Sequence, residues 1–175
     1  MNYRISSCNE KQLPEILEIL NEAIINTTSN YDYKPRSIEY IKEWYTQKQQ
    51  ENYPLIGIFD ENDSLLGFAS YGPFRNKPAY KYIVEHSIYV RSDMRGKGLG
   101  KSLLKEIIKF AELQEYHVII GGIDASNEGS IRFHEKEGFV SCGLIKHAGY
   151  KFGRWLDLAF YQMILKTPEH PVEDK

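Results

Sequence analysis

Residues 95–101 read Arg-Gly-Lys-Gly-Leu-Gly-Lys, three glycines at alternate positions between an apolar run over 84–90 and another that begins at Leu99. The upstream run is β-rich, and the downstream one spaces Leu99, Leu103, Ile107 and Phe110 near helical period. A strand must therefore pass into a helix through a turn in which the backbone can reach φ > 0 and a ligand can approach closely. Successive N–H groups in such a turn converge on an anion at the positive end of the helix, which describes a cradle for a pyrophosphate.

Two familiar phosphate loops do not fit. A Walker loop needs four residues between its first Gly and a Gly-Lys-Ser/Thr ending, whereas lysines here alternate with single glycines. A dinucleotide fingerprint reads Gly-x-Gly-x-x-Gly near the start of a βαβ unit, and the spacing here is Gly-x-Gly-x-Gly past mid-chain. Taken alone, the glycines are also compatible with a purely structural turn.

The rest of the chain predicts one mixed α/β domain over 1–166 with a frayed tail over 167–175. At 175 residues and 42% hydrophobic it can bury a substantial core without disulfides or metal. A net charge of −2 provides no general attraction to nucleic acid or to an anionic membrane. Cys8 and Cys142 lie far apart, which argues against a disulfide framework or zinc site and for the cytoplasm. The opening residues read as a strand rather than a signal peptide, and no 18-residue apolar span occurs.

Strands are expected at 3–6, 54–59, 64–71, 83–90, 117–123, 140–146 and 155–165, with the second and third joined as a hairpin by Glu61-Asn-Asp63. Helices are expected at 11–25, from an N-cap at Ser37 to about Gln49, at 99–113 and at 126–137. The polar segment 26–35 reads either as a flexible loop or as part of an acceptor pocket, and residues 151–157 as a loop leading into the last strand.

Taken together, residues 85–100, Glu-His-Ser-Ile-Tyr-Val-Arg-Ser-Asp-Met-Arg-Gly-Lys-Gly-Leu-Gly, resemble the acetyl-CoA-binding segment of the GNAT N-acetyltransferases, whose signature is Arg/Gln-x-x-Gly-x-Gly/Ala; Arg95, Gly98 and Gly100 fit it. Residues 127–139 resemble that superfamily's second cofactor-binding helix, and 150–160 resemble the late strand of its phosphinothricin and L-amino-acid acetyltransferases. The resemblance implies a central, twisted, mostly antiparallel sheet flanked by helices. It also implies acetyl-CoA as cosubstrate, no metal, and a small-molecule amine as acceptor.

If the loop holds acetyl-CoA, Arg95, Gly96, Lys97, Gly98, Leu99, Gly100 and Lys101 form the phosphate cradle. Backbone groups of Ile88, Tyr89 and Val90 then run along the pantetheine, and Ile88 N–H is the economical oxyanion donor. Asn127 can cap the second helix and bond a pantetheine amide. An amine attacks a thioester only as the neutral base, so a proton acceptor is required. Glu85 is the candidate: alone it could be a solvent-facing strand glutamate, but it resembles the catalytic glutamate of the phosphinothricin group. His134, seven residues after Asn127, resembles that subgroup's histidine and is the candidate general acid, a packing role being the alternative; His86 and His117 read as structural.

Arg75, Lys77 and Tyr80, just upstream of Glu85, could hold an acidic acceptor or form an ordinary exposed loop. The resemblance places basic residues and a tyrosine comparably. It points to the α-amine of phosphinothricin, methionine sulfoximine or methionine sulfone as acceptor, and to a homodimer. Other expectations are an acetyltransferase for a polyamine, peptide or protein amine, and a noncatalytic acyl-CoA sensor.

Overall fold

The computed structural model describes residues 2–173. Seven strands and four α-helices follow one another as β1 (Arg4–Ser7), α1 (Leu13–Asn26), α2 (Ile38–Gln50), β2 (Leu55–Phe59), β3 (Leu65–Pro73), β4 (Ile83–Val90), α3 (Leu99–Leu113), β5 (Val118–Asp124), α4 (Glu128–Lys136), β6 (Val140–Lys151) and β7 (Arg154–Ile164). The strands pair in the order β1-β2-β3-β4-β5-β7-β6. β4 and β5 pair parallel, while β1 with β2, β2 with β3, β5 with β7 and β6 with β7 pair antiparallel, giving the mixed α/β fold expected from the residues and the mostly antiparallel sheet that the resemblance implies. Two compact units group the chain: residues up to Tyr71 with Ser87–Ile107, and Gly72–His86 with 108 onward.

In the first unit, Leu13, Ile16 and Ile19 of α1 recur at helical spacing and pack with Ile41, Leu55, Phe59, Leu65 and Phe68. Every residue of β2 is buried, so this hairpin reads as a continuous apolar run rather than as an alternating one. Its turn forms because Asp60 Oδ1 accepts from the N–H groups of Asn62 and Ser64 while Asp63 takes φ +62°. Ser37 caps α2 by accepting from Tyr40 N–H at 3.3 Å. The segment after α1 is pinned by its own polar groups. Arg36 pairs with Asp32 at 2.6 Å, its N–H donates to Asn21 Oδ1 at 2.7 Å, and Asn30 Nδ2 donates to Tyr89 Oη at 3.3 Å.

In the second unit, β6 and β7 form a long hairpin. The last strand, expected from Trp155, begins at Arg154, and the loop expected before it narrows to a turn: Lys151 ends β6, and Phe152 and Gly153 turn at φ +52° and +74°. Two successive positive φ values match the right-handed twist of the flanking strands, and Phe is not a residue that advertises such a turn. Beyond β7, Thr167 Oγ1 donates to Tyr116 O at 2.6 Å. Val172 donates its N–H to Tyr82 Oη at 3.0 Å and accepts from it at 3.1 Å. Positions 174 and 175 of the expected tail lie outside the described residues.

Candidate active site

β4 leads through a short 3-10 turn, Ser92–Met94, into the glycine loop. Met94 and Leu99 are buried on either side of the loop and anchor it by their apolar side chains. Gly96 and Gly98 take φ +77° and +82°, the left-handed region that only glycine enters without strain. Gly100 lies within α3 and does not share that conformation, so two of the three glycines supply the turn. Lys101 and Ser102 N–H donate to Gly98 O, marking the start of α3, whose first N–H groups have no intrahelical partner. A Cβ built on Gly96 or Gly98 meets nothing within 4 Å, so the loop's outer face is open. Open space above unpaired amides at a helix N-terminus fits a pyrophosphate.

The side chains around the loop are directed elsewhere. Arg95 donates from Nη2 to Glu22 Oε2 at 2.6 Å and from Nε to Val90 O at 3.3 Å, and Lys97 Nζ lies 3.4 Å from Met94 Sδ. The Tyr89 ring packs on Phe68 at 5.3 Å and burial pushes its phenol pKa up, so this side chain is engaged in the core of its unit.

In the second unit Glu85 is half-buried, and burial holds its carboxyl above the usual range. It faces an opening made by a glycine. A Cβ on Gly122 would stand 3.0 Å from Glu85 Oε1, 3.3 Å from Leu158 and 3.6 Å from Phe160, and Gly122 is the exposed residue in an otherwise covered β5. Phe74 meets Phe160 edge to face at 6.0 Å, and Tyr80 meets Phe74 in the same way. The carboxylate thus opens onto an aromatic recess. The Arg75 guanidinium lies 5.3 Å from the Phe74 ring, and Lys77, whose N–H donates to Arg75 O, is exposed.

Gly121, one residue earlier, presents the other face of β5. A Cβ there would stand 2.9 Å from His86 Nε2 and 3.4 Å from His134 Nε2. The two imidazoles stack at 5.2 Å and 24°, with Phe139 edge-on to both. His134 Nδ1 sits 2.7 Å from Ser130 O and therefore carries the proton, leaving a lone pair on the buried Nε2. Burial lowers the pKa of both rings, that of His86 to about 3. A neutral His134 in this tautomer has no Nε2 proton to give, so an acid role requires the imidazolium that burial opposes. Glu85 and His134 stand against opposite faces of β5, and no contact brings them together.

Asn127 caps α4 by accepting from Ser130 N–H at 3.0 Å. The turn before it is set by Asp124, 3% exposed, whose Oδ1 accepts from Ser126 N and Oγ and whose Oδ2 accepts from Arg154. The sequence reading passed over Glu22, Asp124, Leu158 and Phe160. The Gly121-Gly122 doublet inside a strand was the available signal, since glycine there marks a close approach.

The family model described as an acetyltransferase (GNAT) domain matches residues 5–160. An L-methionine sulfoximine/L-methionine sulfone acetyltransferase of Pseudomonas aeruginosa is 39% identical over 165 residues, covering 94% of this chain and 96% of its own. A solved structure from Acinetobacter baylyi is 56% identical with a TM-score of 0.97, covering 99% of this chain and 98% of that one. A GNAT-superfamily phosphinothricin acetyltransferase of Sinorhizobium meliloti, solved in complex with AcCoA, is 32% identical with a TM-score of 0.93, covering 98% of this chain and 93% of that one. With its strand order, its open glycine loop and these likenesses, the chain belongs to the GNAT acetyltransferase family.

Proposed function

We propose that this enzyme transfers acetyl from acetyl-CoA to the α-amine of a small amino acid or analogue of the methionine sulfone, methionine sulfoximine or phosphinothricin kind. The observation that carries the reading is the Glu85 carboxylate, raised in pKa and opening over Gly122 onto an aromatic recess. The names of the relatives support the acceptor class, and their cover of nearly the whole chain supports reading 1–166 as one catalytic domain.

Acetyl-CoA supplies an activated acyl group. The loop amides from Gly96 to Gly100 hold its pyrophosphate, and the backbone of Ile88, Tyr89 and Val90 with Asn127 holds the pantetheine. Glu85 takes one proton from the acceptor ammonium, directly or through water; the neutral nitrogen then bonds to the acyl carbon, and as the carbon–sulfur bond breaks the second nitrogen proton passes to the departing thiolate, so that CoA leaves as the thiol. Ile88 N–H, three residues along β4, donates to the charge that develops on the acyl oxygen. Arg75 and Lys77 bind the acceptor's acidic group, and Tyr80 walls it. His134, neutral and bonded to Ser130, holds α4 and its Asn127 cap in place.

The free thiols of Cys8 and Cys142 support a cytoplasmic setting. A homodimer is supported by β6, an edge strand exposed almost throughout, on which Val140, Leu144 and Ile145 are open along with Trp155 of β7.

Thiol release from acetyl-CoA, measured with methionine sulfone, phosphinothricin, spermidine and a peptide amine, tests the acceptor class. The two amino-acid analogues should react best. Arg75→Ala and Lys77→Ala should each raise their KM about tenfold while the KM for acetyl-CoA stays put. Preference for spermidine with both variants unimpaired would overturn the acidic-acceptor reading and leave the acetyltransferase standing.

A further inference from the structure

Arg95 opens the signature of the glycine loop, and a guanidinium at that position invites assignment to a phosphate. Its bonds run the other way. One side chain ties the loop's first residue to Glu22 on α1 and to the last carbonyl of β4, at 2.6 and 3.3 Å. Glu22 lies one turn from the end of α1, near Glu15 and Glu18 along a recess also lined by Arg91 and Asp93. Arg91 is in turn paired with Asp93 at 2.8 Å. Each arginine flanking the turn is therefore matched by an acid.

The residues that follow Arg95 need such a tie. Gly96 and Gly98 have no side chain with which to pack, and their conformational freedom is the largest of any residue's. Amides that recognise an anion bind best when the turn is fixed beforehand, because the ordering cost is then not charged against binding. The Glu22–Arg95 pair supplies a fixed point directly before the first left-handed glycine.

We propose that Glu22 is a positioning residue for acetyl-CoA: by holding Arg95 it sets the loop amides in their phosphate-binding arrangement, and Arg95 acts as a staple rather than as a phosphate ligand. This rests on reading the loop as the pyrophosphate cradle. The two roles of Arg95 predict opposite signs for Glu22→Gln. A staple loosens, and acetyl-CoA binds more weakly. A phosphate ligand is released from a competing acid, and acetyl-CoA binds more tightly.

Calorimetric titration of wild type and Glu22→Gln with acetyl-CoA reads the sign, with S-acetylpantetheine, which lacks the pyrophosphate, as the second acyl donor in turnover assays. The staple predicts a dissociation constant for acetyl-CoA raised about three- to fivefold, as expected for one partly exposed ion pair. The loss in kcat/KM with acetyl-CoA should exceed that with S-acetylpantetheine. Glu22→Asp, which keeps the charge, should recover part of the affinity. Tighter acetyl-CoA binding by Glu22→Gln, an unchanged constant, or equal losses with both donors would each overturn the proposal. Gly98→Val separates it from the reading beneath: if that variant binds acetyl-CoA normally, the cradle assignment itself has failed.

Discussion

The glycine loop presents backbone on its open face, and the Glu85 recess presents side chains. The loop's recognition elements come from about seven consecutive residues, and its geometry depends on two glycines at φ +77° and +82°. The recess draws Glu85 from β4, Gly122 from β5, Leu158 and Phe160 from β7, and Phe74 and Tyr80 from the connection between β3 and β4. A backbone site admits one kind of partner, an anion of the right size, and tolerates little change. A side-chain site of this kind can be retuned residue by residue. In an acetyltransferase the first arrangement suits the donor common to the family, and the second suits the acceptor that distinguishes its members.

Three measurements sharpen or break that contrast. The largest effect belongs to the recess. Glu85→Gln should leave acetyl-CoA affinity intact and lower kcat by about a hundredfold or more, as the loss of a positioned base does. The deficit should shrink as pH rises and more acceptor amine is already neutral. A wild-type pH profile would remove Glu85 as the base.

At the loop, Gly98→Val should raise the acetyl-CoA dissociation constant about 10- to 100-fold, because a β-branched residue at φ +82° forces the turn to rearrange at a cost of a few kcal/mol. Acceptor KM should hardly move. Comparable damage to both constants in a folded variant would erase the distinction between the two regions.

The smallest effect concerns stability, and it comes from the face of β5 that the recess does not use. His86 titrates near 3 in the folded protein against 6.5 for an ordinary imidazole. Between those values the unfolded chain takes up a proton that the folded one refuses. Stability from this group is complete above about pH 6.5 and falls as pH drops toward 3, by at most about 1.4 kcal/mol per unit. His134, also lowered by burial, adds in the same direction. Urea midpoints measured from pH 7 to pH 4.5 should decline in wild type and decline less in His86→Phe. Parallel slopes would mean that the stack is open to solvent.

The same contrast explains what could be read in advance. The loop was legible because its determinants are adjacent in sequence: a β-rich run, alternate glycines and a helical run admit few conformations. β4 and α3 were expected at the bounds observed, Ile83–Val90 and Leu99–Leu113. Asn127 as the cap of α4 followed from side-chain chemistry one turn long. Phe160 and Leu158, by contrast, read as ordinary strand apolar residues, and only the pairing of Gly122 with Phe160 in the β5–β7 register brings them to Glu85. Glu22 was invisible for the same reason, its partner being 73 residues away. A loop was expected around Phe152-Gly153, but not a two-residue turn with β6 reaching Lys151, because left-handed backbone is seldom given to phenylalanine.

Glu85 and His86 are neighbours on one strand, pressed against the opposite faces of two glycines, and burial biases both toward the uncharged form. The imidazole complies easily, whereas a carboxylate that ionises there carries its charge with part of its hydration stripped away. In the proposed mechanism, capture of a proton from an arriving ammonium discharges that carboxylate and relieves the penalty as the nucleophile is made. The cation of the acceptor and the anion of the strand cancel each other, so the recess becomes electrically quieter as the amine becomes reactive. In that mechanism the captured proton then leaves for water, which recharges the strand for the next cycle.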